Sequence, residues 1–189
     1  MMHMRLTGII LATAALAATA ALAQVKQEQP TSALRGHNTN APVDVTSERI
    51  EVQERADRAV FTGNVHATQG DMTLETPRLT VAYSTAAGGN GTNVQINRLD
   101  AAGGVVVRDP SETAKGDFGV YDLDRKLITL IGNVQLTRDN NQVNGARLVI
   151  DLNSGRAVID GGPPGVNSSG GRVSGHFTVP QQNSQPKSK

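Results

Sequence analysis

Arg58-Ala59-Val60-Phe61-Thr62-Gly63-Asn64-Val65 is echoed by Arg98-Leu99-Asp100-Ala101-Ala102-Gly103-Gly104-Val105, then by Leu127-Ile128-Thr129-Leu130-Ile131-Gly132-Asn133-Val134, and last by Arg156-Ala157-Val158-Ile159-Asp160-Gly161-Gly162. The glycines that fix this register, Gly63, Gly103, Gly132 and Gly161, stand 40, 29 and 29 residues apart. Each unit alternates apolar and polar positions over too few residues for a helix, so each reads as one strand with a glycine at a fixed level. A strand that recurs in this way belongs to an array whose units stack on one another.

The same register extends beyond the glycines. A shift of 69 residues aligns Thr46–Ser84 with Lys115–Asn153 without a gap, placing Leu74 on Val143, Leu79 on Leu148, Val81 on Ile150 and Tyr83 on Leu152. The longer first interval is accounted for by Ala86-Ala87-Gly88-Gly89-Asn90-Gly91, which reads as a flexible excursion. Side chains two apart in a strand share a face. Ala59, Phe61, Val65 and Ala67 therefore share one, as do Leu99, Ala101, Val105 and Val107, then Ile128, Leu130, Val134 and Leu136, then Ala157 and Ile159. The opposite face carries Val60, Thr62, Asn64 and His66, or Thr129, Asn133, Gln135 and Thr137, and is mostly wet.

Glycine inside a strand costs stability, so a recurring one requires a bulge, a bend or the close approach of another backbone. A sheet that bends at one level in every strand curls. The expectation is an all-β fold, a twisted, partly open β-jelly-roll of stacked antiparallel strands with an aliphatic interior and almost no helix. Pro77 is expected at a strand start or edge.

The chain begins with a processing signal. His3 and Arg5 precede an apolar run from Leu6 to Leu22, and Ala21-Leu22-Ala23 fits the small-x-small cleavage rule, so residues 1–23 read as a cleavable signal peptide. Removing 23 of 189 residues leaves 166, the size of one domain, with 17 basic and 17 acidic side chains. A neutral exported chain offers no electrostatic footprint for nucleic acid. Residues 24–42 are polar and read as a flexible leader that could hide a short strand. Residues 43–162 hold the strand array, and residues 163–189 form a Gly/Pro/Ser/Gln-rich segment in which only 172–179 could form a last strand.

Chemistry is sparse. The chain has no cysteine, which excludes disulfides, thiolate metal sites and a lipid-modified cysteine after the signal. It has no tryptophan and five Phe and Tyr in all, too few for the aromatic platforms of sugar clefts, whereas a surface for acyl chains needs only branched aliphatics. Most carboxylates fall in turns or on wet faces, as do Glu54, Asp57, Asp122 and Asp124, and no converging acid/base pair can be drawn. His37, His66 and His176 have no ligand spacing. There is no Gly-x-Ser-x-Gly elbow, and Gly88-Gly89-Asn90-Gly91 lacks the Lys-Ser/Thr of a phosphate loop and reads as a hairpin loop. No enzyme and no cofactor is expected.

Ile50-Glu51-Val52, the repeated Phe-Thr-Gly-Asn-Val and Leu-Ile-Gly-Asn-Val units, Gly116-Asp117-Phe118-Gly119-Val120-Tyr121 and the closing Arg172-Val173-Ser174-Gly175-His176-Phe177, on an exported strand array, resemble the LptA/OstA family of periplasmic lipopolysaccharide transport proteins. The resemblance runs from about Val43 to Val179. It implies a non-catalytic β-jelly-roll in the periplasm of a Gram-negative cell, whose groove cradles the lipid A acyl chains. It also implies partners: the inner-membrane bridge component, the periplasmic domain of the outer-membrane translocon, and further copies of the chain joined head to tail. Combined with the register, it puts the lipid path on Ile50, Val52, Phe61, Val65, Leu74, Leu79, Val81, Val105, Leu130, Val134 and Ile150. Two alternatives remain: an exported structural β-solenoid or scaffold with no lipid ligand, and a carbohydrate-active enzyme on a β-helix.

Overall fold

The computed structural model describes residue 34 and residues 37–88, 91–162 and 171–179, with the side chains of 86–88 and 91–93 left undescribed. The expected signal peptide, residues 1–23, and most of the segment 163–189 lie outside the described residues. Ten strands form one antiparallel sheet, and the helical content among the described residues is a single 3-10 turn, Glu54–Ala56. The strands are β1 (Val43–Thr46), β2 (Arg49–Gln53), β3 (Arg58–Gln69), β4 (Met72–Gly88), β5 (Gly91–Arg108), β6 (Thr113–Asp122), β7 (Leu127–Arg138), β8 (Asn141–Asp151), β9 (Arg156–Asp160) and β10 (Ser174–His176). The sheet runs in order from β3 to β8, with β1 and β2 both on β3 at one end and β9 and β10 both on β8 at the other; it does not close into a barrel.

The repeated glycine marks a bulge in the ladder. In β3 the pairing with β4 jumps between Thr62 and Val65, in β5 the pairing with β6 jumps between Ala102 and Val105, and in β7 the pairing with β8 jumps between Ile131 and Val134. Each jump spans two successive residues with positive φ: Gly63 and Asn64, Gly103 and Gly104, Gly132 and Asn133. Two left-handed residues in a row turn the strand sharply, and because the turns are in register they fold the sheet along one line. This crease divides the sheet into two leaves. The first holds β2, β9 and the facing halves of β3 to β8; the second holds β1, β10 and the other halves.

The 69-residue repeat is visible at atomic level. The Glu48 carboxylate accepts a hydrogen bond from Asn64 Nδ2, and Asp117, 69 positions later, accepts one from Asn133 Nδ2 at 2.8 Å. Each carboxylate covers the preceding glycine, so the acidic residue clamps a turn that the strand alone would not hold. By the same shift β1 and β2 together correspond to β6: they are one edge strand interrupted at the crease.

Three expectations need correction. Pro77 lies inside β4, not at its start; it stands opposite the bulge, where the ladder skips a residue and a missing N–H leaves no partner unpaired. The excursion at 86–91 belongs to the β4–β5 hairpin, as a hairpin loop would, with Ala86 paired to Asn93 and Gly88 to Gly91. The leader is not uniformly flexible. Its described part contains no strand, but Leu34 is buried at 2% exposure, and Gln69 Nε2 donates to the Thr39 and Ala41 carbonyls at 3.1 and 3.0 Å. At the other end the last strand shrinks from the expected 172–179 to three residues, Ser174–His176.

Candidate functional site

The inner faces of the two leaves carry continuous apolar rows. On the first leaf, Ile50 pairs with Phe61, Phe61 with Leu79, Leu79 with Ala101, Ala101 with Gly119, Gly119 with Leu130, Leu130 with Leu148 and Leu148 with Ile159. The next row runs Val52, Ala59, Val81, Leu99, Tyr121, Ile128, Ile150 and Ala157. The second leaf faces them with Val45, Ala67, Leu74, Val107, Ala114, Leu136 and Val143. Val65, Val105 and Val134 line the crease itself.

All eleven residues assigned to the lipid path thus lie on this inner face, but they differ in burial. Leu79, Leu130 and Ile150 have no exposed surface and Val65, Val105 and Val134 have 2% or less. Leu74 and Val81 are also buried and Phe61 partly so. Ile50 and Val52, on the end strand, are 55% and 56% exposed. Full burial of a leucine contributes about 1.5–3 kcal/mol, so the central rows hold the leaves together. Between the leaves lie cavities of about 10 Å³, one lined by Met72, Leu74, Val107 and Ile128 and another by Val43, Leu74, Leu99 and Tyr121. Each holds no more than about one water. Nothing larger enters unless the leaves part.

Register reasoning had the means to name Leu148, which the 69-residue shift places on Leu79, and did not; it is fully buried. Leu99 and Ile128 are likewise buried members of the same rows. Leu34 carried no periodic signal at all.

Away from the crease the mouth is polar. Gln69, Glu112 and Arg138 end the inner rows of the second leaf, and Gln69 and Glu112 are 3% and 6% exposed. Tyr121 crosses from the first leaf and donates its hydroxyl to Gln69 Oε1 at 3.0 Å, tying leaf to leaf. Burial pushes the Tyr121 phenol up from the usual 10 to about 12, and the Gln69 contact offsets part of that rise. His37 Nε2 reaches the same Gln69 oxygen at 3.0 Å, and Glu112 pairs with Arg138 at 2.6 Å.

Among the described residues no group of three or more His, Cys, Asp or Glu side chains is placed to hold a metal ion. His66 lies outside, 4.0 Å from Glu75, which pairs with Arg108 at 2.6 Å; these are exposed side chains beside an open notch at the crease. Among the described residues no helix is long and apolar enough to cross a membrane.

Three likenesses to known proteins agree with this geometry. Residues 44–156 match the family described as LptA/(LptD N-terminal domain) LPS transport protein. An uncharacterized protein of Rhizobium meliloti (strain 1021), R00383, is 32% identical over 165 residues, which span 85% of this chain and 82% of that protein. Among solved structures, LptH of Pseudomonas aeruginosa, described as the LptA homologous periplasmic component of the lipopolysaccharide transport device, superposes with a TM-score of 0.61. That match covers 79% of this chain and all of LptH at 17% identity, and so speaks to fold alone.

Proposed function

Because the chain belongs to the LptA/LptD N-terminal-domain family of lipopolysaccharide transport proteins, we propose that it is a periplasmic bridge component that carries lipopolysaccharide by its acyl chains between the two leaves, without catalysis. The observation that carries this reading is the set of apolar rows on the inner face, unbroken by charge and running out to Ile50 and Val52 at an open sheet end. A methylene left in water costs about 0.8 kcal/mol, so a trough that continues to the edge of the protein and into a neighbour removes the barrier to crossing an aqueous space. Unpaired edges, a liability elsewhere, serve here as joints by strand addition to a second copy or to same-fold domains of the pathway.

Photocrosslinking tests the reading. Crosslinkers at Phe61, Val65, Leu130 and Val134 are expected to capture lipopolysaccharide, and those at the outward Thr62 and Gln135 are not. Equal capture at both sets would sink the assignment of faces. The tightly closed interior favours one second reading, a scaffold whose inner face serves only as a core. In that case none of the six positions captures lipid, and no lipid accompanies the purified chain in mass spectrometry.

A further inference from the structure

Leu34 stands apart from everything the strand register explains. It lies in a polar stretch, outside every strand, yet it is buried in the core between the leaves at 2% exposure. Its backbone is left-handed, with φ of 52°, a conformation that side chains other than Gly and Asn rarely adopt. Its amide donates to Glu112 Oε1 at 2.9 Å. Glu112 is neutralised by Arg138, so the seat presents an acceptor without net charge.

The stretch that follows is fastened across the mouth by side chains instead of by a ladder. His37 and the carbonyls of Thr39 and Ala41 all converge on the Gln69 amide. Regular pairing begins only at Val43, opposite Gln69 itself. This strap closes the rim of the second leaf at the place where Tyr121 and Gln69 close it from the other side. Such fastenings come apart one hydrogen bond at a time, without disrupting the sheet.

An amide N–H aimed at a neutralised carboxylate, with a branched alkyl group beside it between two aliphatic leaves, has the donor and the hydrocarbon of an amide-linked acyl chain. We propose that Leu34 occupies an acyl subsite at the mouth of the groove, and that the strap is a built-in lid which an N-acyl chain of the lipid displaces, its amide taking over the acceptor on Glu112. The inference rests on the transport reading and supplies its regulation: the unloaded groove is capped by its own leader, and loading exchanges one amide and alkyl group for another. Residues 37–41 must swing away for this to happen.

A reversible lock tests it. The Cβ of Asn38 stands 4.0 Å from the position a Cβ on Gly70 would take, within disulfide range, and the chain has no other cysteine. In Asn38→Cys/Gly70→Cys, oxidation pins the strap and reduction frees it. Lipopolysaccharide titrated into the oxidised full chain should bind at least about tenfold more weakly than into the same protein reduced, because the competent fraction falls. Leu34→Ala, which shortens the stopper, should bind severalfold more tightly than the unsubstituted chain. Equal affinity of the oxidised and reduced forms overturns the lid and leaves the transport reading standing. No binding by the unsubstituted chain, the reduced pair and Leu34→Ala together overturns the transport reading, and the lid with it.

Discussion

At Gly132 the backbone has φ of +81°, and a Cβ there would come within 2.9 Å of the Asp117 Cβ. Two costs therefore meet at one atom: the conformation favours glycine, and the space is filled by the carboxylate side chain that clamps Asn133. Gly132→Val should lower the free energy of unfolding by roughly 1–3 kcal/mol, read from denaturant midpoints at constant slope. Gly104 separates the two costs, since it has φ of +95° but nothing within 4 Å of its would-be Cβ. Gly104→Ala should lose clearly less. An unchanged midpoint in Gly132→Val would mean that the bulge relaxes freely and does not set the crease. Glu48 and Asp117 make the same argument from the other side: an acidic residue 16 positions before an asparagine is an ordinary sight in a sequence, and its role shows only once the strands are paired.

Strands β3 to β8 cross the crease and so belong to two leaves, which are held by aliphatic rows near the fold line and by one buried phenol at the mouth. Tyr121 must remain neutral to donate to Gln69. Its folded value near 12 lies above the usual 10 of the unfolded chain, so its contribution is complete below pH 10 and is lost as pH rises through 12. Tyr121→Phe should be less stable than the unsubstituted chain at neutral pH and should lose less stability between pH 10 and 12. Parallel thermal melts of the two proteins across that window measure the difference; superimposable pH profiles would place the phenol outside the latch. The rows were legible in the sequence because alternation and a 69-residue shift specify which side chains share a face, as for Phe61 and Leu130. The exposure of Ile50 and Val52 was not, since periodicity gives the face of a strand and not its place at the end of the sheet. Leu34 was illegible for a different reason: a single leucine in a polar leader has no period, and the carboxylate that receives its amide, Glu112, is 78 residues away.

At the scale of the whole molecule the sheet ends matter most, because each is divided by the crease into two short edges: β1 and β2 at one end, β9 and β10 at the other. A neighbour that adds strands to one leaf alone leaves the other open, whereas one that engages both continues the crease and with it the apolar rows. The residues that such a neighbour meets are already apolar and exposed: Ile50 and Val52 on one end, Val173 at 44% and Phe177 at 66% exposure on the other. Half-exposed residues contribute little to the fold of the single chain, so changing them separates assembly from folding. We expect concentration-dependent head-to-tail association of the unsubstituted chain. Val52→Lys, which places a charge where the rows would cross the joint, and Val173→Pro, which removes a backbone donor beside β10, should each abolish it while leaving the unfolding midpoint of the monomer nearly unchanged. Sedimentation velocity over a hundredfold range of concentration decides between the cases. A chain that stays monomeric throughout, and that fails to pair with the periplasmic domains of the same pathway, would be a solitary lipid binder and not a segment of a bridge.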